Sequence, residues 1–480
     1  MENTVNLVEN DNLKYKKRMI YMINSDTISA ISTATGEAGI GIVRMSGERA
    51  ISIANEIFKP IGKKTLSEAE NRKLVYGHIY DGDKLLDEVL IVKMVAPYTY
   101  TREDVVEIHC HGGIISVRNI LKLTLSRGAR LADAGEFTKR AFLNGRLDLT
   151  QAEAVIDLIK SKSETSYDMS IRQLEGSLSG KIAEIRENVM KMTAIIIANI
   201  DFPEDEIVEA TYKSLEEDAN TVIEHLDTLI ENSNRGQLLR DGINTVILGK
   251  PNVGKSSLLN SLLRDERAIV TDIPGTTRDV ITDYVNLDGI LLKITDTAGI
   301  RETLDEVEKI GVSRAKDAIN DSDLIIAIFD GSKEFSEDDK EIIKLIEDKR
   351  AIILLNKADL ERKVSKEEIE KLLGGRKYFD VSILDGREIS TIENEIKDMF
   401  FKGEIKESSD VYVNNLRHVN ALKEARNAMD DVILDIKQEM FLDLLEVNLE
   451  MVLSSLGEIT GDTTTEDVLD KVFSEFCIGK

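Results

Sequence analysis

Residues 249–256 read Gly249-Lys250-Pro251-Asn252-Val253-Gly254-Lys255-Ser256 and fit G-x-x-x-x-G-K-S, a spacing suited to holding phosphate. Glycines let the backbone curl so that successive N–H groups point at phosphate oxygens, and a helix starting at the loop's end adds its positive pole. Lys255 is spaced to reach the β- and γ-phosphates and Ser256 to hold Mg²⁺, with Val253, Gly254 and Ser257 beside them. The positioning elements are legible on both sides. Thr245-Val246-Ile247-Leu248 reads as a short buried strand, and Ser257-Leu258-Leu259-Asn260 opens an apolar helix. An ordinary glycine-containing strand-to-helix turn has the same local pattern, so the residues downstream must decide.

They do so in the order a GTPase needs. Asp296-Thr297-Ala298-Gly299 follows the strand-like run Leu291-Leu292-Lys293-Ile294-Thr295. There a carboxylate can bind Mg²⁺ through water, and the Gly299 N–H can sense a γ-phosphate. Asn356-Lys357-Ala358-Asp359 follows the apolar run 351–355, and the Asp359 carboxylate matches the N1–H and exocyclic amine of guanine. Adenine offers no such pair of donors, which selects GTP over ATP. Thr276 and Thr277, in Pro274-Gly275-Thr276-Thr277, sit where a switch loop places a hydroxyl on the metal. Ser382 stands where a last loop supports the base, although Ile383 follows it where alanine is usual.

Two absences shape the chemistry. Ile300 occupies the position after Asp-Thr-Ala-Gly where Ras-like proteins carry a water-orienting glutamine. Arg278 and Arg301 are candidate cis arginine fingers, with surface ion pairs the favoured alternative. Asn252 offers a side-chain oxygen to a monovalent cation, a charge that could replace a finger worth ~10³–10⁵ in rate.

Around this cassette the chain has 480 residues, 42% hydrophobic and 31% charged, enough for roughly three domains each with its own core. The apolar runs are too short to span a bilayer, no cleavable leader pattern is present, and two cysteines make no disulfide framework. These point to a cytoplasmic, reducing setting with no membrane association. A net charge of −26 argues against a broad nucleic-acid-gripping face. Residues 1–25 read as a disordered tail or an alternative start. Residues 26–146 alternate short strands and turns with one helix over 114–125, an α+β domain. Residues 147–240 and 402–480 carry helical periodicity, and 241–401 alternate strand and helix as a doubly wound α/β unit. The simplest packing inserts that P-loop unit, Ras-like in fold, into a discontinuous helical domain. Thr464-Thr465-Glu466-Asp467 resembles a capping box opening the last helix.

From residue 26 to 480 the chain resembles the tRNA-modification GTPase family called MnmE or TrmE. The resemblance rests on Gly39-Ile40-Gly41-Ile42-Val43-Arg44, on Glu103-Asp104-Val105-Val106-Glu107 with His111-Gly112-Gly113, on the run 135–144 beginning Gly135-Glu136-Phe137-Thr138, and on the terminal Phe476-Cys477-Ile478-Gly479-Lys480. It implies an N-terminal tetrahydrofolate-binding and dimerising domain. It also implies that Asn252, Thr271, Ile273 and Thr276 ligate K⁺, within a nucleotide-lining switch segment Thr271-Asp272-Ile273-Pro274-Gly275-Thr276-Thr277. Ser256 and Thr277 would hold Mg²⁺, and Glu308 would orient the attacking water. Arg44, Glu107, Arg146 and Lys480 would line the folate pocket. Arg102 departs from the family's usual glycine, which puts the shape of that loop in question.

The resemblance further implies a K⁺-stimulated GTPase acting as a homodimer. With an FAD- and NADH-dependent MnmG/GidA-type partner, in a heterotetramer or larger, it would install an aminomethyl or carboxymethylaminomethyl group at C5 of the tRNA wobble uridine. The carbon donor would be methylenetetrahydrofolate, and tRNA would be held largely by the partner. Cys477 admits a catalytic role or a packing role. His109-Cys110-His111 suggests a metal, but adjacent strand residues point to opposite faces, which favours no transition metal. The rival from another class is a regulatory GTPase switch with no part in substrate chemistry.

Overall fold

Period-two alternation builds the first sheet and decides which residues face its core. Along the chain come β1 (Ile28–Ile31), β2 (Ala38–Ser46), α1 (Ala50–Ile57), β3 (Phe58–Pro60), β4 (Val75–Asp81), β5 (Lys84–Met94), β6 (Val105–Gly112), α2 (Ile114–Ser126) and β7 (Arg130–Leu131). The strand order is β3-β4-β5-β6-β2-β1-β7, antiparallel except where β1 runs parallel to β7. Val43 and Met45 of β2, with Val106 and Ile108 of β6, are buried in one cluster with Ile53 and Ile57 of α1 and Val117 and Ile120 of α2. Each such side chain contributes about 1.5–3 kcal/mol on burial. The residues between them, Arg44 and Glu107, therefore take the other face, and the β2–β6 register sets them directly opposite.

The computed structural model describes residues 26–34, 36–62, 65–201, 208–264, 282–287, 289–295, 319–383, 389–401 and 411–480. After the first sheet follow α3 (Glu136–Leu143), α4 (Leu149–Lys160), α5 (Glu164–Leu174), α6 (Ser177–Asp201) and α7 (Val208–Asp241). The described residues up to Ile159 group with Arg172–Glu224 and Asn420–Lys480 in one unit, and Lys160–Ile171 with His225–Val419 in a second. Helical periodicity cannot distinguish these memberships, because a helix buries an apolar stripe equally well against either neighbour.

The second unit holds β8 (Ile243–Leu248), α8 (Lys255–Arg264), β9 (Thr282–Leu287), β10 (Ile290–Thr295), β11 (Leu324–Asp330), α9 (Glu337–Leu345), β12 (Ala351–Asn356), α10 (Lys366–Leu372), β13 (Tyr378–Val381) and α11 (Ile389–Phe401). Its sheet runs β13-β12-β11-β8-β10-β9. Ile247, Ile326, Ile328 and Leu354 enter one apolar cluster, and Val246, Ile325, Ala327 and Ile353 enter another on the opposite face. Burial on both faces explains the near-continuous apolar strands. All pairs are parallel except β9–β10, an antiparallel hairpin turning through Gly289 at φ 89°. Strand-helix alternation predicts an all-parallel sheet; the connection between Leu287 and Ile290 is too short for a crossover. The segment Lys160–Ile171 belongs here through Met169, which packs on the core, and Lys162, whose Nζ lies 3.2 Å from the centre of the Tyr284 ring.

The chain returns to the first unit through α12 (Leu416–Lys437), α13 (Leu442–Thr460) and α14 (Glu466–Ser474). α13 packs along α6, with Ile182, Ile185, Val189, Met192 and Ile196 buried on one helix and Leu445, Leu449, Val452 and Leu456 on the other. The last helix begins at Glu466 with Thr465 as its N-cap, but no side chain caps it. The capping box expected from Thr464 and Asp467 is out of register by one residue. The Thr464 hydroxyl instead donates to the Glu458 carbonyl.

Candidate nucleotide-binding site

β8 lies between β11 and β10 in the sheet, at the point where successive connections leave to opposite sides. In open α/β sheets a crevice forms there beyond the carboxyl ends of the strands. The loop 249–254 fills that position and α8 starts at Lys255. Asn252 has φ 63° and Gly254 φ 111°. The left-handed turn at a non-glycine residue costs of order 1–2 kcal/mol. A Cβ on Gly254 would lie 2.3 Å from Asn356 Nδ2, so both the backbone and the space call for glycine. The Lys255 ammonium donates to the main-chain oxygens of Gly249 (2.9 Å) and Lys250 (2.8 Å), which holds it over the loop. Ser256 and Ser257 stand exposed on the first turn of α8, and Val253 is buried beneath the loop.

The motif ending β12 meets this loop directly. Asn356 Nδ2 donates to the Val253 carbonyl (2.7 Å), and its Oδ1 accepts from Ile383 N (3.2 Å). One buried amide thus ties the phosphate loop to the segment after β13. Lys357, at φ 67°, places its ammonium 2.6 Å from Asp330 Oδ2 at the end of β11. Burial pushes the Asp330 carboxyl up, but hydrogen bonds from Lys357 and Ser332 outweigh it and hold the group below the ordinary carboxylate value. Ala358 N donates to the Val381 carbonyl (3.1 Å), fixing the turn that presents exposed Asp359. The Ser382 hydroxyl donates to Asp359 Oδ1 at 3.0 Å. Asn252 through Ser257, Asn356, Lys357, Asp359 and Ser382 are thereby gathered at one end of the sheet. Thr271, Asp272, Ile273, Pro274, Gly275, Thr276, Thr277, Asp296, Thr297, Ala298, Gly299 and Glu308 lie outside the described residues. The cradle fits a nucleotide phosphate: main-chain donors at a helix N-terminus, a lysine over the loop, and no room for a side chain at Gly254.

A second polar cluster forms on the face of the first sheet opposite α1 and α2. Arg44 pairs with Glu107 Oε1 through Nη2 (2.7 Å) and Nε (2.8 Å), both side chains 18% exposed. The Arg44 guanidinium lies 5.7 Å from the centre of the Phe137 ring and 5.9 Å from that of Tyr100, while Arg146 lies 4.6 Å from Tyr100. Tyr100 and Phe137 are the residues that sequence reasoning missed. Phe137 sits inside the recognised 135–144 run, but nothing local marks it as a partner of Arg44. Below them Arg140 is fully buried among Glu103 (3.2 Å), Asp26 (2.6 Å) and Glu136 (2.9 Å). Burial wins at Glu103, whose carboxyl is pushed up; at Glu136 the hydrogen bonds from Arg130, Asp133 N and Arg140 overcome burial and hold it down.

The last residues of the chain run alongside this cluster. Gly135 N donates to the Cys477 carbonyl (3.5 Å), Phe137 N to the Lys480 main-chain oxygen (3.2 Å), and the Ser32 hydroxyl to the Gly479 carbonyl (3.0 Å). Phe476 is buried and Cys477 exposed. Gly479 has φ 95°, and a Cβ there would lie 2.1 Å from the Ile31 carbonyl. Arg102 takes φ 60°, the conformation a glycine would adopt, and donates to the Asn144 carbonyl (2.8 Å). The loop keeps a glycine-like course around an arginine. Among the described residues no group of His, Cys, Asp and Glu is arranged to hold a metal, and no helix is long and apolar enough to cross a membrane.

Comparison with known proteins covers nearly the whole chain. The family model described as "GTP-binding protein TrmE N-terminus" matches residues 27–146, and that described as "MnmE helical domain" matches residues 149–477. The protein named "tRNA modification GTPase MnmE" of Clostridioides difficile is 50% identical over 459 residues, 96% of this chain and all of that one. Its namesake in Alkaliphilus oremlandii is 50% identical over 461 residues, again 96% and 100% of the two chains. That of Bacillus subtilis is 46% identical over 458 residues, 95% and 100% of the two.

Proposed function

The chain belongs to the MnmE family of tRNA modification GTPases, and on that premise we propose that it hydrolyses GTP at the 249–256 loop to drive modification of the tRNA wobble uridine. The observation that carries the GTP half is the joint between Asn356, Val253 and Ile383, with Asp359 on Ser382. It sets a phosphate cradle and a guanine-matching carboxylate on one frame.

Phosphoryl transfer asks the protein for positioning and for charge stabilisation rather than covalent chemistry. Lys255 moves from its loop carbonyls to the β- and γ-phosphate oxygens, and the α8 N-terminus faces the same charge. Ser256 and Thr277 would hold Mg²⁺, which would supply positive charge to offset that on the transferring phosphoryl group. Asn252, Thr271, Ile273 and Thr276 would hold K⁺, whose charge would stimulate turnover in the way an arginine finger does. Glu308 orients the attacking water. The segment Asp296–Gly299 reads the γ-phosphate.

The second cluster takes a tetrahydrofolate derivative, with methylenetetrahydrofolate as carbon donor. Arg44, Arg146 and Lys480 suit folate carboxylates, Glu107 suits the pterin amidine edge, and Tyr100 and Phe137 offer ring faces. Cys477 is exposed beside buried Phe476, so packing at this end falls to Phe476 and the thiol is open to chemistry. The remaining parts of the proposal are a homodimer, an FAD- and NADH-dependent MnmG-type partner that carries much of the tRNA contact, and a cytoplasmic setting. A binding titration with 5-formyltetrahydrofolate tests the donor site. Binding by the wild type that Arg44→Ala abolishes supports it; no binding by the wild type favours a regulatory switch.

A further inference from the structure

The Lys250 side chain, on the second residue of the phosphate loop, takes no part in the chemistry proposed for GTP, yet it is held more firmly than that of a solvated lysine. Its Nζ lies 2.5 Å from Asp339 Oδ2 and 2.8 Å from the Ser336 hydroxyl. Asp339 is the third residue of α9, and the same Oδ2 accepts from Ser336 N (2.8 Å) and Ser336 Oγ (3.0 Å). The residue is 3% exposed, and its Oδ1 is buried without a hydrogen-bond partner among the described residues. A helix cap alone does not ask for this. α10 has a capping box of the same kind, Ser365 with Glu368, and that one is exposed. Burying a carboxylate with one oxygen unsatisfied is costly unless a cation compensates it. Lys250 is the cation placed on it, and the Lys250 carbonyl in turn accepts from the Lys255 ammonium at 2.8 Å.

We propose that Asp339 is a positioning residue for nucleotide binding: through Lys250 it anchors the start of the phosphate loop and so sets the position of the loop's main-chain donors. The loop is then braced at two points, by Asn356 on the Val253 carbonyl and by Asp339 on the Lys250 side chain. Losing either brace lets main-chain donors drift from the phosphate oxygens, and misplacement by an ångström costs up to ~10²-fold in such systems.

The test is equilibrium binding of GDP and a non-hydrolysable GTP analogue to the full chain, with steady-state GTP turnover alongside. Lys250→Ala and Asp339→Asn should each raise the nucleotide Kd by about tenfold, with most of the turnover loss in KM rather than kcat. The double variant should bind no worse than the weaker single, because both remove one brace. Ser365→Ala, which uncaps α10, should lower Tm and leave Kd unchanged. Lys250→Ala within twofold of wild type, or single effects that add, would overturn the proposal. Should Asp339→Asn fail to fold, Lys250→Ala and Lys250→Met carry the decision, since both leave the bonds from Ser336 to Asp339 Oδ2 in place. Absence of nucleotide binding by the wild type would instead overturn the GTPase reading, which the wild-type titration reports by itself.

Discussion

Asn356 Nδ2 donates to the Val253 carbonyl at 2.7 Å, joining the strand end that carries the guanine motif to the loop that carries the phosphate motif. The two motifs are 103 residues apart in the chain. On the proposed function, this one amide couples recognition of the base to the shape of the phosphate cradle. Asn356→Ala should therefore weaken GTP and GDP alike, by about tenfold or more, as a charge-free buried hydrogen bond of ~1–3 kcal/mol is lost with its partner left unsatisfied. Titration with a fluorescent GDP analogue measures it. Gly254→Ala should be more severe, since its Cβ would meet Asn356 Nδ2 at 2.3 Å and the backbone is at φ 111°.

Asp359→Asn should exchange base preference. A carboxylate here can accept from both guanine donors, the N1–H and the exocyclic amine; an amide offers a donor and suits xanthine, whose exocyclic group is an oxygen. Turnover of GTP should fall while that of XTP rises, read by phosphate release with each nucleotide. Ser382→Ala removes the hydroxyl at 3.0 Å from Asp359 Oδ1 and should raise KM for GTP by a few-fold, about the worth of one hydrogen bond.

The two cysteines should separate cleanly in alkylation. Cys110 is buried, and burial pushes its thiol up to about 11. Cys477 is exposed. Under native conditions at neutral pH one equivalent of iodoacetamide should label Cys477, with Cys110 reacting only after unfolding. Peptide mass spectrometry assigns the site, and rapid native labelling of Cys110 would contradict the packing described for β6.

Acid should loosen the Arg140 cluster. The Asp26 and Glu136 carboxyls are held below their ordinary values of 3.8 and 4.5: burial pushes both up, and the arginine hydrogen bonds more than offset it. A depressed carboxyl contributes stability that is fully present above its ordinary value and is lost as pH falls through its folded value. Thermal melts should hold steady down to about pH 5 and decline below it, more shallowly in Glu136→Gln. Glu103, pushed up by burial, works in the opposite sense and partly offsets the decline.

The phosphate and guanine motifs are legible because they are local. The strand before Gly249 and the helix after Gly254 lie within a few residues of them, and burial on both sheet faces leaves continuous apolar runs such as 351–355. Distant pairings were not legible. Tyr100 and Phe137 meet Arg44 only after β2, the loop before β6 and α3 come together, and Asp339 meets Lys250 from 89 residues away. Helical periodicity also left memberships open, since Lys160–Ile171 reads like its neighbours yet packs with the nucleotide unit. Arg102 is the reverse case. The resemblance leads one to expect glycine there, and Arg102 still takes φ 60°.

The most direct test of the whole account is mass spectrometry of wobble uridines in tRNA from cells lacking this protein. The account predicts loss of the aminomethyl or carboxymethylaminomethyl group at C5, restored by the wild-type chain and not by Asp359→Asn. Wobble uridines that keep the group in the deletion strain would contradict it.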